Sequence, residues 1–184
     1  MVLLDLQKAF DTVNHEILLK KLELMGFNRA TLEWFRSYLS NRHQLVSIKS
    51  VHSELLPIKC GVPQGSILGP VLFTSYINDM CISLVECKLL LYADDSVLLY
   101  SNESPKAVEE KISKELSVCL DWMTDNKLSL HIGKTESIIF SSKSNAKKIE
   151  SFSVSLKNET IQRSESVKYL GINLTSQVSF SSLG

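Results

Sequence analysis

Apolar and polar positions along this chain follow two different periods, and the points where the period changes mark its elements. Val2 to Leu6 is an apolar run interrupted only by Asp5, which reads as a strand. Ile17, Leu18, Lys21, Leu22 and Met25 then keep a stripe at helical spacing, and Gly26 stands where a helix C-terminus would fall. A second helix is predicted over Arg29 to Leu39. Leu45 to Lys49 and Leu55 to Lys59 alternate around Ser50-Val51-His52, the pattern of a hairpin. After the loop Cys60 to Gly65, Ser66 is placed to cap a helix running towards Met80. Gly69-Pro70 lies in its first turns, where a missing amide proton costs least. Lys88 to Ala93 and Ser96 to Tyr100 flank Asp94-Asp95, which predicts a second hairpin with two acids at its tip. Ser104-Pro105 is an N-cap followed by proline at the first helical position, and Val108, Ile112, Leu116, Cys119 and Met123 carry an apolar stripe through five turns. Strands are predicted over Glu136 to Phe140, Phe152 to Leu156 and Val167 to Leu174, with a Ser/Lys-rich loop from Ser141 to Lys148. The sum is an α+β layer: a mostly antiparallel sheet with helices packed on one face.

Composition narrows the class. With 184 residues, 44% of them hydrophobic and 22% charged, the chain can bury one sizeable core, and disorder is excluded. Lys plus Arg total 20 and Asp plus Glu total 20, so no overall field announces a nucleic acid or a membrane; such a partner has to be argued locally. Cys60, Cys81, Cys87 and Cys119 have no CxxC spacing, which fits a reducing compartment, and no apolar run has membrane-spanning length. An intracellular protein, in cytoplasm or nucleus, is the expectation. A strand beginning one residue after Met1 and a polar tail after residue 174 both read as cut edges.

The acids carry the candidate chemistry. A bare Asp94-Asp95 pair reads first as a solvated turn, since Asp is a favoured turn residue. Asp5 changes the weighing, because it is a third acid ending another apolar strand and strand ends from one sheet can converge. Three clustered carboxylates repel unless divalent cations neutralise them, and oxygen-only donors select Mg²⁺ or Mn²⁺.

LDLQKAFDTVNH around Asp5, GVPQGSILGPVLF at residues 61 to 73, YADD at 92 to 95, GKTESIIF at 133 to 140 and KYLGI at 168 to 172 follow one another in the order found in reverse transcriptases. The chain most resembles the enzymes of non-LTR retrotransposons, of the jockey-like kind. The resemblance implies the palm of a right-hand polymerase over residues 1–174, with the fingers incomplete, the thumb missing and a truncated polar tail at 175–184. It implies RNA-directed DNA synthesis: two-metal transfer of dNTPs to a primer 3′-hydroxyl on an RNA template, with Mg²⁺, or Mn²⁺, as cofactor. Asp5 and Asp94 resemble the metal-ligating carboxylates, Asp95 the adjacent acid, and the backbone carbonyl of Leu6 a further ligand. Phe10 resembles the ring that excludes a 2′-hydroxyl; outside the motif it reads as a core aromatic. Gln64 and Gly65 resemble nucleotide-binding residues. Pro63 and Ser66, with Tyr169, Leu170 and Gly171 of a primer-holding hairpin, resemble contacts to template and primer. Lys134 matches a lysine that steadies pyrophosphate, although the family pattern has Asn shortly before Lys-Thr where this chain reads His131-Ile132-Gly133; an exposed loop lysine is the other reading. Asp11 and His15 read as capping or hydrogen-bonding residues.

Two alternatives stay open at this level: a catalytically inert palm remnant that binds nucleic acid or a partner, and a group II intron or retron-type enzyme sharing the same core.

Overall fold

Both periods are realised in the structure, a computed structural model describing residues 1–142, 148–157 and 159–176. In chain order the elements are β1 (Val2–Asp5), α1 (Ala9–Thr12), α2 (His15–Leu24), α3 (Arg29–Leu39), β2 (His43–Gln44), β3 (Ser47–Ile48), β4 (Val51–His52), β5 (Leu56–Pro57) and α4 (Leu68–Ile77). They continue as β6 (Lys88–Tyr92), β7 (Asp95–Leu99), α5 (Pro105–Asp125), β8 (Glu136–Ser137), β9 (Val154–Leu156), β10 (Glu159–Arg163), β11 (Ser166–Tyr169) and β12 (Ile172–Thr175). The chain divides into two units, one of residues 1–7, 79–125 and 129–184, the other of residues 8–78 and 126–128.

The first unit is the layered α+β body expected. Its six-stranded sheet runs β6-β7-β1-β8-β10-β9, antiparallel except between β8 and β10. Register sorts the side chains by face. Val2 opposes Leu98 and Ser137, and Ile161 opposes Val154, so Val2, Leu4, Leu98, Ile161, Val154 and Leu156 share one face, and all are buried. Helix α5 packs on this sheet against β7 and β9. The five apolar residues of its stripe are all buried, at about 1.5–3 kcal/mol of transfer free energy for each large side chain. Ser104 Oγ accepts the Ala107 N–H at 3.4 Å, the cap that the sequence places there. The opposite face carries Leu3, Asp5, Leu90, Tyr92 and Asp95, and opens to solvent at Leu90 and Tyr92.

The second unit is helical with short ladders. Asn14 and Asn28 cap α2 and α3 by accepting the N–H of Ile17 and Thr31. Leu18, Leu22, Leu39, Leu72, Phe73 and Tyr76 are the large side chains of its core.

Several expected boundaries move. The single hairpin at residues 45–59 is two nested ladders, β2 with β5 and β3 with β4. The helix aimed at Met80 ends at Ile77 and is followed by a 3-10 turn over Asn78–Ser83. The strand predicted over Val167–Leu174 is the hairpin β11–β12 turning at Leu170-Gly171, where φ values of 48° and 82° suit a two-residue turn. Strand β10, which alternates too weakly to be read in sequence, joins the sheet through β8 and β9. Part of the Ser/Lys-rich loop (143–147) and of the tail (177–184) lies outside the described residues.

Candidate functional site

Strand register sets the acids. Asp5 ends β1 directly opposite Asp95, the first residue of β7, so both project from the solvent-facing side of the sheet. The hairpin tip is one residue earlier than predicted: Tyr92 pairs with Asp95, and the turn residues are Ala93 and Asp94. Ala93 sits at φ 52°, a left-handed conformation costing about 1–2 kcal/mol for a residue with a side chain, so the turn beside the acids is strained. Burial and then the neighbouring charges of Asp94 and Asp5 push the Asp95 carboxyl up from the usual aspartate range. Among the described residues no group of three His, Cys, Asp or Glu side chains is arranged to hold a metal ion. The pair brought face to face is therefore Asp5 and Asp95, with Asp94 in the adjoining turn.

Beyond Asp5, Leu6 bridges Leu130. The bonds of that bridge run between flanking residues, His131 N–H to Asp5 O at 2.7 Å and Gln7 N–H to Ser129 O at 2.8 Å. The amide and carbonyl of Leu6 itself therefore point away from Leu130, towards the edge where β7 begins at Asp95. His131 ties Asp5 to the 3-10 turn Ile132–Lys134, which carries Lys134 exposed at its end. His131 Nδ1 is buried without a hydrogen-bond partner. This role was hidden in sequence, where His131 registers only as a departure from the family pattern.

A further residue of this unit escaped the sequence reading. Glu115 on α5 is buried, and its carboxylate accepts the N–H groups of Val85 (3.3 Å), Glu86 (3.0 Å) and Cys87 (3.1 Å), the segment leading into β6. It thereby anchors the hairpin that presents Asp94. The signal was available: Glu115 stands three residues after Ile112 and four before Cys119, on the buried stripe itself. Tyr169, Leu170 and Gly171 belong to the same unit, at the turn of the β11–β12 hairpin.

The second unit holds the other matched residues. Phe10, on α1, stacks on Phe73 of α4 with ring centroids 4.7 Å apart at 27°, and remains half-buried. Gln64 Nε2 donates to Asp11 Oδ1 at 2.7 Å, so the glutamine amide is held in place. The loop behind it is fixed by backbone bonds from Gly61 N–H to Val13 O and Val62 N–H to Phe10 O. His15 Nε2 lies 2.8 Å from Gly61 O. Gly61 has φ 88°, and a Cβ there would stand 2.8 Å from Asp11 O; only glycine fits. Ser66 Oγ donates to Pro63 O at 2.7 Å and accepts the Gly69 N–H at 3.0 Å, bracing the entry to α4. Gly65 is at φ 77°, and a Cβ there would meet nothing within 4 Å. Asp11 and His15 thus act by hydrogen bonding, as their sequence context suggests.

Comparison with known proteins follows the same motifs. Residues 1–174 match the family model described as reverse transcriptase (RNA-dependent DNA polymerase). The chain is 30% identical over 185 residues to the RNA-directed DNA polymerase from mobile element jockey of Drosophila melanogaster, covering 97% of the chain and 20% of that protein. It is also 30% identical over 190 residues to the probable RNA-directed DNA polymerase from transposon BS of the same organism, with the same coverage. The chain thus spans about a fifth of the length of these relatives. Among solved structures it is similar to telomerase from Candida albicans (TM-score 0.57, 14% identity, 97% of this chain and 32% of that one). Telomerase from Candida tropicalis is similar at TM-score 0.51, with 18% identity over 73% of this chain and 25% of that one. At these identities the structural likeness speaks for the fold.

Proposed function

We propose that this chain, which belongs to the reverse transcriptase (RNA-dependent DNA polymerase) family, contributes the palm chemistry of an RNA-directed DNA polymerase of a retrotransposon. It would extend a DNA primer with dNTPs on an RNA template. The observation that carries the reading is the register of Asp5 against Asp95 on the open face of the sheet, with Asp94 in the turn beside them. Nothing in the fold requires two like charges there; directly opposed carboxylates destabilise a ladder. Their arrangement suits a hard divalent cation; the Asp95 carboxyl is raised first by burial and then by the charges of Asp94 and Asp5, and it is this second part that such an ion would relieve.

Asp5, Asp94 and Asp95, with the Leu6 carbonyl, would hold Mg²⁺ or Mn²⁺. When bound, the cation supplies charge neutralisation for an in-line phosphoryl transfer. The protein's own part is positioning: a rigid ladder fixes the two facing carboxylates, and the Glu115 anchor fixes where β6 begins. Phe10 is assigned the exclusion of a 2′-hydroxyl, because its face is held by Phe73 and cannot swing aside freely. Gln64, oriented by Asp11, is assigned the contact to nucleotide or template edges, and Lys134 the pyrophosphate charge. Tyr169, Leu170 and Gly171 are assigned to the primer.

The test uses two readouts. Mn²⁺ titration of the chain should show saturable binding that weakens on the order of a hundredfold in Asp5→Asn and in Asp95→Asn. Primer extension on an RNA template with the four dNTPs, measured with fingers and thumb restored because this chain alone is expected to be inactive, should be abolished by the same substitutions. Equal Mn²⁺ binding by wild type and both variants would sink the reading.

A further inference from the structure

Apart from the acids, a second charged feature lies in the second unit, in a cavity of about 650 Å³ beside the loop that carries Gln64. Lys8, Arg42 and Lys59 converge on it from three separate segments of chain. Among the described residues some cations pair with acids, Lys20 with Glu23, Arg36 with Glu16 and Glu33, Lys106 with Glu110 and Lys111 with Glu86, while others such as Lys88, Lys114 and Lys127 stand singly on the surface. Among the described residues Lys8, Arg42 and Lys59 have no such partner. The cavity's one acid, Asp11, already accepts the Gln64 amide. Three cations thus face one engaged carboxylate across a single concavity. Such a cluster, with its acid already engaged, makes a local positive field that attracts an anion.

The lining also limits what that anion can be. No aromatic ring lines the cavity, so it offers no platform for stacking a base. Spread over three points, the positive charge suits successive phosphates better than one compact ion. We infer that this cavity seats the phosphodiester backbone of a nucleic-acid strand, with Lys8, Arg42 and Lys59 each neutralising a phosphate. This rests on the polymerase reading, in which the strand is the RNA template.

The experiment measures binding of a fluorescein-labelled oligouridine, and of a DNA strand of matching sequence, across a salt series. Each phosphate contact on a single strand contributes about 0.7 to the slope of log affinity against log salt, so Lys8→Gln, Arg42→Gln and Lys59→Gln together should lower it by about 2. Lys20→Gln with Lys106→Gln should leave the slope unchanged. If the triple variant does not fold, Lys59→Gln alone decides, with an expected loss of about 0.7. Cys60, an exposed thiol in the cavity wall, supplies a local readout: the oligonucleotide should slow its alkylation and not that of Cys81, the exposed thiol of the other unit. Equal protection by RNA and DNA supports a site reading backbone alone, and stronger protection by RNA supports the template assignment. An unchanged slope, or Cys60 alkylated equally fast with and without strand, would overturn the inference. So would protection by tripolyphosphate or polyglutamate when neither strand protects. Asp5→Asn should bind the strand as wild type does. Strand binding by a wild-type chain that takes up no Mn²⁺ would defeat the polymerase reading while leaving the cavity assignment standing.

Discussion

The acids and the glutamine loop are built by opposite means. Asp5 and Asp95 owe their places to strand register, so their separation is set by a ladder whose other rungs, Val2 with Leu98 and Leu4 with Ser96, are buried. A slip of one residue would turn every one of those side chains to the wrong face, which makes the register hard to change. Gln64 sits on a loop with no ladder of its own, held by a few hydrogen bonds and by a glycine that lets two backbones touch. The first arrangement tolerates surface change and fails when its core anchor is lost. The second fails at single backbone positions.

The largest effect should come from the anchor. Glu115→Ala would leave three buried or half-buried amides unsatisfied at 85–87 and should lower the stability measured by urea unfolding by about 4 kcal/mol. Glu115→Gln, which keeps an acceptor, should lose markedly less. If the two lose equally, charge rather than hydrogen bonding holds the hairpin. In the loop, Gly61→Ala should cost about 2–3 kcal/mol, from the left-handed backbone together with a clash against Asp11. Gly65→Ala, strained but unobstructed, should cost about 1 kcal/mol. Equal losses at the two glycines would mean that the close approach at Gly61 relaxes freely.

A third effect is confined to the first unit. Burial pushes the Cys87 and Cys119 thiols up to about 12, Cys87 with help from Glu115 and Cys119 with help from Cys87. An unfolded cysteine ionises near 9, so the stability these thiols contribute is whole below about pH 9 and drains away as pH rises towards 12. Each thiol bends the curve by at most about 1.4 kcal/mol per pH unit, and Cys119→Ala should flatten the decline. A stability curve flat across that range would contradict the burial. The smallest effect concerns the acids themselves. With divalent ions chelated, Asp95→Asn should raise stability by a few tenths of a kcal/mol, since it removes a directly opposed like charge. A loss instead would show that Asp95 makes a structural bond the ladder needs.

Legibility in the sequence followed the range of the interaction. Helices α2 and α5 were readable because a 3.6-residue stripe is local, and for α5 the Ser104 cap as well; the Asn28 cap of α3 is a feature the structure adds. The nested ladders at 43–57 were misread because two-residue strands carry almost no period, and β10 was missed because Glu159–Arg163 buries only Ile161. The acids were singled out for ending apolar runs, yet which two face each other was not readable. The hairpin turns at Ala93-Asp94, one residue before the predicted tip, and this shift sets Asp95 rather than Asp94 against Asp5.

By itself, then, the sequence determined the class of elements, the family and the residues worth suspecting, because spacing along a chain encodes amphipathic faces and motif order. Tertiary structure alone decided the pairing of Asp5 with Asp95, the tie between Asp11 and Gln64, the anchoring by Glu115 and the meeting of Lys8, Arg42 and Lys59 at one cavity. Each of these joins residues at least 28 positions apart, except for Lys59 with Arg42 at the cavity. Such pairs are selected by how sheet and core close, and no local preference of either partner reports it.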